Sequence, residues 1–202
     1  MGKPFKGELK KLSKTIRWAE QQDVTRLAQF LFAENKQIPL VCIGSGGSLS
    51  ACHYAVQLYQ QRNGVLAQAM TPLQLMYAGH NIIRSSKLLF LSASGKNKDI
   101  LNAIKYGVKY NETGMMSLRK NNPTEELLER YPKVQRWCED IPSEKDGFLA
   151  TNSLLAIFTL LCKAACASKF QNSYFKSFER RNVYRVPHTA PQYVFFHVGY
   201  AV

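Results

Sequence analysis

The sequence has 202 residues, enough for one sizeable hydrophobic core but too few for two full α/β domains. Its hydrophobic content of 46% is that of a globular protein and excludes a disordered chain. Lysine and arginine number 27 against 14 aspartates and glutamates, which gives a formal charge of +13. Anionic partners are therefore expected, whether phosphorylated small molecules, nucleic acid or acidic lipid surfaces.

The five cysteines are odd in number, lie in part within apolar segments and lack the spacing of paired metal ligands. We therefore predict reduced thiols, no metal site and a cytoplasmic protein. The first residues have no apolar core of the kind that a secretory signal needs. The most apolar stretch, residues 154–167, is interrupted by Lys163 and is well short of a membrane span, so no membrane insertion is expected.

Hydrophobic periodicity divides the chain into three regions. Residues 1–36 carry apolar side chains at helical spacing, which predicts a helical N-terminal extension packed on the domain that follows. Residues 37–168 form the central domain. Residues 169–202 are rich in lysine, arginine and aromatic residues and have no clear period. This tail either caps a neighbouring subunit or is the end of a truncated or frameshifted reading frame.

The central domain has the alternating pattern of an α/β fold. Strands are predicted at residues 39–43, 65–70, 87–91, 113–118 and 134–138. Helices are predicted at residues 48–62, 72–78, 97–110 and 154–167. Strands that alternate with helices favour a three-layer, doubly wound domain with parallel strands and right-handed crossovers.

Two turns that follow predicted strands are rich in glycine and serine. The first turn is residues 44–48, GSGGS, and the second turn is residues 92–99, SASGKNKD. In an open parallel sheet the ligand crevice lies beyond the carboxyl ends of the strands, and glycine lets the backbone approach an anion there. Side-chain donors in these turns are Ser45, Ser48, Ser92, Ser94 and Asn97. Together the turns predict a phosphate site.

A single turn of this composition is often only a tight connection, so the prediction depends on the pair. The first turn is not a Walker motif, because no Gly-Lys-Ser/Thr ends it. Leu49 stands where a dinucleotide fingerprint has its third glycine. Nucleotide binding is therefore disfavoured. Lys96 and Lys98 either add positive charge to the site or simply face solvent.

Three segments resemble the sugar isomerase (SIS) domain family, which includes phosphosugar isomerases, the isomerase half of glucosamine-6-phosphate synthase and sugar-phosphate-sensing regulators. They are the strand that ends in GSGGS, the SASGKNKD segment, which matches the family's Ser-x-Ser-Gly-x-Thr/Asn-x-Asp/Glu signature, and GFLATNSLLA, which is similar to its Gly-x-x-Ser-Thr-Lys segment. The resemblance covers residues 39–167. It implies a flavodoxin-like five-stranded parallel sheet, a homodimer or homotetramer with sites completed by a neighbouring subunit, and no cofactor.

The same resemblance implies a sugar phosphate as the ligand. Its phosphate would be held by the backbone amides of Gly46 and Gly47 and by the side chains of Ser45, Ser48, Ser92, Ser94 and Asn97. Four positions depart from the family: Asn97 stands where threonine is common, Lys96 replaces the synthase's glutamate, and Ala150 and Asn152 replace the serine and lysine of the third segment. These departures weaken the expectation of catalysis. They do not affect the expectation of phosphate binding.

Aldose–ketose isomerisation needs a base that moves a proton between adjacent carbons. It also needs a group that stabilises the negative charge that develops on the substrate oxygen. In the family these groups are usually glutamate and histidine. Glu144 is the first candidate base, although it is one position from the aligned place, which Lys145 occupies; Asp146 is another. His53 and His80 are the histidine candidates. A solvated carboxylate and an ordinary hydrogen-bonded histidine are the alternatives.

Three functions remain open: a phosphosugar isomerase, a non-catalytic phosphosugar-binding sensor or regulatory module, and a nucleic-acid-binding protein. Basic residues are dense at 3–17 and at 169–185, where aromatic residues interleave with them as in proteins that bind single strands. No helix-turn-helix or RNA-binding signature accompanies them, which favours a solvated surface over nucleic acid. The isomerase is the leading hypothesis.

Overall fold

The computed structural model describes residues 5–33, 38–77, 84–109, 112–147 and 149–167. Three helices come first, and strands then alternate with helices. The helices are α1 (Phe5–Leu9), α2 (Leu12–Gln21), α3 (Thr25–Phe32), α4 (Gly47–Asn63), α5 (Pro72–Tyr77), α6 (Lys98–Gly107), α7 (Pro123–Leu128) and α8 (Asn152–Ala167). The strands are β1 (Leu40–Ile43), β2 (Ala67–Met70), β3 (Lys87–Leu91), β4 (Thr113–Ser117) and β5 (Gln135–Cys138).

Within the described residues, the five strands form one parallel sheet in the order β2-β1-β3-β4-β5. From β1 the chain moves outward to β2 and then returns to β3 on the other side of β1. The strand order therefore reverses between β1 and β3, which makes their carboxyl ends the topological switch point. The predicted fold class, a doubly wound α/β domain with a flavodoxin-like parallel sheet, is confirmed.

Helices cover both faces of the sheet, which is why the central strands are apolar throughout. Side chains of β1 and β3 alternate between two buried clusters. Cys42 and Leu89 lie in the cluster that also contains residues of α3, α4 and α8, whereas Val41 and Leu88 lie in the cluster that contains residues of α6. Successive side chains of a strand point to opposite faces of the sheet, and both faces are buried here. A short continuous apolar run is therefore the pattern that predicts these strands.

The helices before β1 pack on the domain, as expected for an N-terminal extension. Ala19, Leu27 and Phe30 belong to the same buried cluster as the sheet. Lys87, at the start of β3, is buried, and its ammonium donates to Phe30 O and lies 4.8 Å from the centre of the Phe30 ring. The boundary at residue 36 stays a prediction, and residues 169–202 lie outside the described part of the chain.

Several elements differ from the predictions: β2 begins at Ala67 and not at residue 65, and α6 ends at Gly107 and not at residue 110. α8 begins two residues early, because the Asp146 carboxylate accepts hydrogen bonds from the N–H groups of Asn152 and Ser153 at 3.0 and 2.9 Å and caps the helix there. α7 was not predicted at all. It is a short helix with Asn122 as its N-cap and Pro123 in its first turn, a combination that the sequence does display.

In the described part of the first basic segment Lys11 is half-buried, whereas the other basic residues lie exposed: Lys6, Lys10, Lys14 and Arg17. This placement agrees with a solvated surface. In the described part of the chain, no helix has both the length and the apolar character that crossing a bilayer would require.

Candidate functional site

The two glycine- and serine-rich turns leave adjacent strands at the switch point. Ile43 of β1 pairs with Phe90 of β3, so the first turn and the second turn begin side by side. The N–H of Gly44 donates to Met70 O at 3.1 Å, and the N–H of Ser92 donates to Met116 O at 3.1 Å. Both turns are therefore anchored to the sheet at their first residue, and they flank the crevice in which ligands of this fold class bind.

The first turn presents backbone donors. The N–H groups of Ser48 and Leu49 donate to the carbonyls of Ser45 and Gly46 at 3.2 and 3.0 Å. Those of Ser45, Gly46 and Gly47 have no acceptor among the described residues. Three such amides at the beginning of α4 form the kind of arrangement that binds an anion.

The second turn presents hydroxyl donors. Ser92 is 5% exposed, and its Oγ accepts a hydrogen bond from the N–H of Gly95 at 3.2 Å. Ser94 is exposed, and its Oγ accepts from the N–H of Lys96 at 3.3 Å. Within the described residues, neither hydroxyl hydrogen has an acceptor. Both can therefore donate to a ligand.

Asn97 has a structural task that the sequence analysis did not assign to it. Its Oδ1 accepts hydrogen bonds from the N–H groups of Asp99 and Ile100 at 2.8 and 3.2 Å and so caps α6. Only its Nδ2 group is left to donate to an anion. Lys96 and Lys98 are exposed.

The third segment contacts the first turn. A Cβ atom placed on Gly47 would lie 2.5 Å from the Cβ of Ala150, so only glycine fits at this contact. Asn152, at the position of the family's lysine, is fully buried and faces the N-terminal helices. Its Nδ2 donates to the Glu8 carboxylate at 3.1 Å and its Oδ1 accepts from Thr15 Oγ1 at 2.8 Å. Asn152 therefore does not take the place of a substrate-facing lysine.

The candidate catalytic residues are dispersed. Glu144 is exposed in the loop before α8, with a backbone φ of 62°, and His53 is exposed on α4. His80 lies outside the described residues. Asp146 serves as the cap of α8. Among the described residues, no group of three histidine, cysteine, aspartate or glutamate side chains is placed to hold a metal ion. The catalytic roles of Glu144, His53 and His80 stay predictions.

Buried thiols lie beneath the first turn. A Cβ atom on Gly44 would lie 2.7 Å from Cys52 Sγ. Burial raises the pKa of the Cys42 thiol well above its ordinary value, and a hydrogen bond with Cys52 raises it further. Cys42 therefore stays neutral near pH 7 and puts no negative charge near an anion bound above it.

The sequence analysis missed the residues that support the second turn from behind. Gly95 O accepts hydrogen bonds from the N–H and the Oγ1 hydroxyl of Thr124 at 3.1 and 2.7 Å. Asn122 packs against the Cα of Gly95. The signal for both was the Asn-Pro start of α7, which predicts a helix but does not say what that helix touches.

Solved structures with similar coordinates include three bacterial proteins. A candidate phosphosugar isomerase of Bacteroides fragilis NCTC 9343, involved in capsule formation, matches with a TM-score of 0.63 and 15% identity over 85% of this chain and 88% of its own. A candidate sugar-binding protein of Salmonella typhimurium LT2 matches with a TM-score of 0.59 and 16% identity over 81% of this chain and 48% of its own. The NanR protein of Vibrio vulnificus, in complex with ManNAc-6P, matches with a TM-score of 0.56 and 15% identity over 87% of this chain and 61% of its own.

The chain therefore shares its fold with these proteins. No protein-family model and no curated protein matches the sequence. The chain spans about half of the Salmonella protein and most of the Bacteroides protein. In this fold, the two turns lie at the switch point between β1 and β3. The narrower resemblance to glucosamine-6-phosphate synthase stays a prediction.

Proposed function

We propose that this protein binds a sugar phosphate at the switch point, with the phosphate between the first turn and the second turn. The observation that carries the proposal is the pairing of Ile43 with Phe90, which puts two donor-rich turns next to each other at the carboxyl edge of the sheet. The bound ManNAc-6P of the similarly folded NanR protein supports a phosphorylated sugar as the ligand class.

The hydrogen-bond donors of the two turns are suited to bind the doubly charged phosphate group of a sugar phosphate. The first turn offers the amides of Ser45, Gly46 and Gly47, and the second turn offers the hydroxyls of Ser92 and Ser94. A hydrogen bond to a charged acceptor contributes about 1.5 to 3 kcal/mol, so these five donors together contribute about 8 to 15 kcal/mol, from which the costs of association are subtracted. The net charge of +13 adds long-range attraction for the same ligand.

Isothermal titration calorimetry of the full chain tests this proposal. The panel contains hexose 6-phosphates, pentose 5-phosphates, amino-sugar phosphates and the corresponding unphosphorylated sugars. We expect saturable binding of phosphorylated members only, weakened in Ser92→Ala and Ser94→Ala. Ser13→Ala, an exposed serine of α2, is the matched control and should bind as the wild type does. Absence of binding, or binding that neither site variant alters, would overturn the proposal.

The second candidate function is aldose–ketose isomerisation at the same site. Glu144 precedes the segment in which Ala150 contacts Gly47, and His53 lies on the helix that begins in the first turn. Both are exposed, so solvent can exchange a proton with either. The similarity to a candidate phosphosugar isomerase also favours this reaction.

Proton exchange separates the two functions. In D₂O, an isomerase places deuterium on the carbon next to the carbonyl of a bound sugar phosphate, and NMR detects its incorporation. Loss of exchange in Glu144→Ala or His53→Ala, with binding retained, would identify the replaced residue as the base that removes the proton. Binding without exchange in the wild type identifies a sensor or regulatory module. Homo-oligomerisation and a cytoplasmic location stay proposals, and sedimentation velocity tests the first.

A further inference from the structure

The beginning of α7 occupies the back of the second turn. Gly95 O accepts two hydrogen bonds from Thr124, and Ala93 O accepts one from the N–H of Leu118 at 3.1 Å. Thr124 is completely buried. These hydrogen bonds hold the carbonyl oxygens of Ala93 and Gly95 toward the end of β4 and the beginning of α7.

Asn122 fixes the shape of the same turn. It is 1% exposed, and a Cβ atom on Gly95 would lie 2.1 Å from its Oδ1. Its Oδ1 accepts hydrogen bonds from two amides of the first turn of α7 at 2.9 and 3.2 Å. Its Nδ2 donates to Ser117 Oγ and Arg119 O at 3.1 and 2.7 Å. With four hydrogen bonds holding it, this side chain is a rigid support for a glycine whose φ is 64°.

We propose that Asn122 and Thr124 are positioning residues of the anion site, which orient the second turn so that its donors and not its carbonyls face the ligand. In a trans peptide the C=O and the following N–H point in opposite directions. Holding Gly95 O toward Thr124 therefore turns the N–H of Lys96, and the Ser94 hydroxyl bonded to it, away from α7. The inference rests on the proposed function, because the ligand is the phosphate proposed there.

Asn122→Ser separates this role from helix capping. Serine is a good N-cap, so α7 keeps its capping oxygen, but its side chain is too short to reach both Gly95 and the partners of Nδ2. Asp23→Ser is the matched control, because the Asp23 carboxylate accepts a hydrogen bond from the N–H of Thr25, the first residue of α3, at 2.8 Å and contributes to neither turn. Thr124→Val, which keeps the shape and removes the hydroxyl, is the second variant if Asn122→Ser does not fold.

Two measurements on the full chain test the proposal. ¹⁵N–¹H spectra without ligand report the amides of Gly95 and Lys96, and titration with inorganic phosphate or a hexose 6-phosphate reports affinity. In Asn122→Ser we expect both amides to shift and affinity to fall about tenfold, the effect of one charge-assisted hydrogen bond. The thermal midpoint should fall further than in Asp23→Ser, because the partners of Asn122 Nδ2 lose their donor, whereas the affinity of Asp23→Ser should stay at the wild-type value.

A double-variant cycle shows whether Asn122 acts through the second turn. If it does, Asn122→Ser combined with Ser94→Ala binds about as weakly as the weaker single variant. Wild-type amide positions and affinity in Asn122→Ser, or losses that simply multiply in the double variant, would overturn the positioning role. If the wild type binds neither phosphate nor sugar phosphate, the proposed function fails and the inference fails with it.

Discussion

Replacing Gly95 by alanine tests the packing of the second turn, and Gly64 provides a matched control. The two glycines have nearly the same left-handed backbone, with φ of 64° and 63°. A Cβ atom at Gly64 meets nothing within 4 Å, whereas at Gly95 it would lie 2.1 Å from Asn122 Oδ1. Gly64→Ala therefore measures the cost of the backbone conformation alone, and the difference between the two variants measures the clash.

The contacts of the two glycines allow the loss in free energy of unfolding to be estimated for each variant. A non-glycine residue in the left-handed region costs about 1 to 2 kcal/mol, which is the expected loss for Gly64→Ala. In Gly95→Ala the Asn122 side chain must also move, and it is buried with hydrogen bonds at both its oxygen and its nitrogen. Leaving one such group unsatisfied adds about 1 to 3 kcal/mol, so Gly95→Ala should lose about 2 to 5 kcal/mol in all.

Urea denaturation followed by circular dichroism measures both losses as free energies of unfolding. Gly95→Ala should unfold at distinctly lower urea than Gly64→Ala, with a similar slope. Where Gly95→Ala remains folded, its affinity for sugar phosphate should also be lower than that of Gly64→Ala. Equal stability losses in the two variants would show that Asn122 does not support the turn, and would refute the reasoning.

Three further predictions concern the site, the N-terminal helices and the half-buried thiol of Cys162. Ser92→Ala and Ser94→Ala should each weaken phosphate binding by about 1 to 3 kcal/mol in calorimetry; unchanged affinity in both would place the site elsewhere. Asn152→Ala removes hydrogen bonds of 2.8 to 3.1 Å to α1 and α2 and should lower the free energy of unfolding by about 2 to 3 kcal/mol in urea; a loss below about 0.5 kcal/mol would contradict that contact. Hydrogen bonding from Cys166 and then Tyr54 lowers the pKa of Cys162 to about 6, so iodoacetamide labelling followed by mass spectrometry should rise through a midpoint near that pH. Cys166→Ala should move the midpoint upward, and a wild-type midpoint near 9 would contradict the assignment.

The fold was largely predictable because its strongest signals are local. Buried strands of a parallel sheet are short continuous apolar runs, as in β1 and β3, and Asn63-Gly64 marks the end of α4. The turns could be found as well, since each follows such a run directly. Their adjacency depends on the strand order, which the family resemblance implied and the structure shows.

The residues that hold the second turn and the beginning of α8 in place could not be predicted from the sequence, because they act through contacts between residues far apart in the chain. Nothing in the sequence near Asn152 indicates that its amide is bound by Glu8, which lies 144 positions away. Thr124 is likewise 29 positions from Gly95, whose carbonyl it holds. Polar residues at the start of a helix predict a cap, but what else they bind depends on the tertiary structure.

The most direct test of the account is a ¹⁵N–¹H titration of the full chain with the tightest-binding sugar phosphate. The account predicts saturable shifts concentrated in the amides of residues 44–48 and 92–97, with Ser45, Gly46 and Gly47 moving most because those N–H groups have no acceptor among the described residues. Shifts confined to the exposed basic residues of α1 and α2, or no saturable shift with any sugar phosphate, would contradict it.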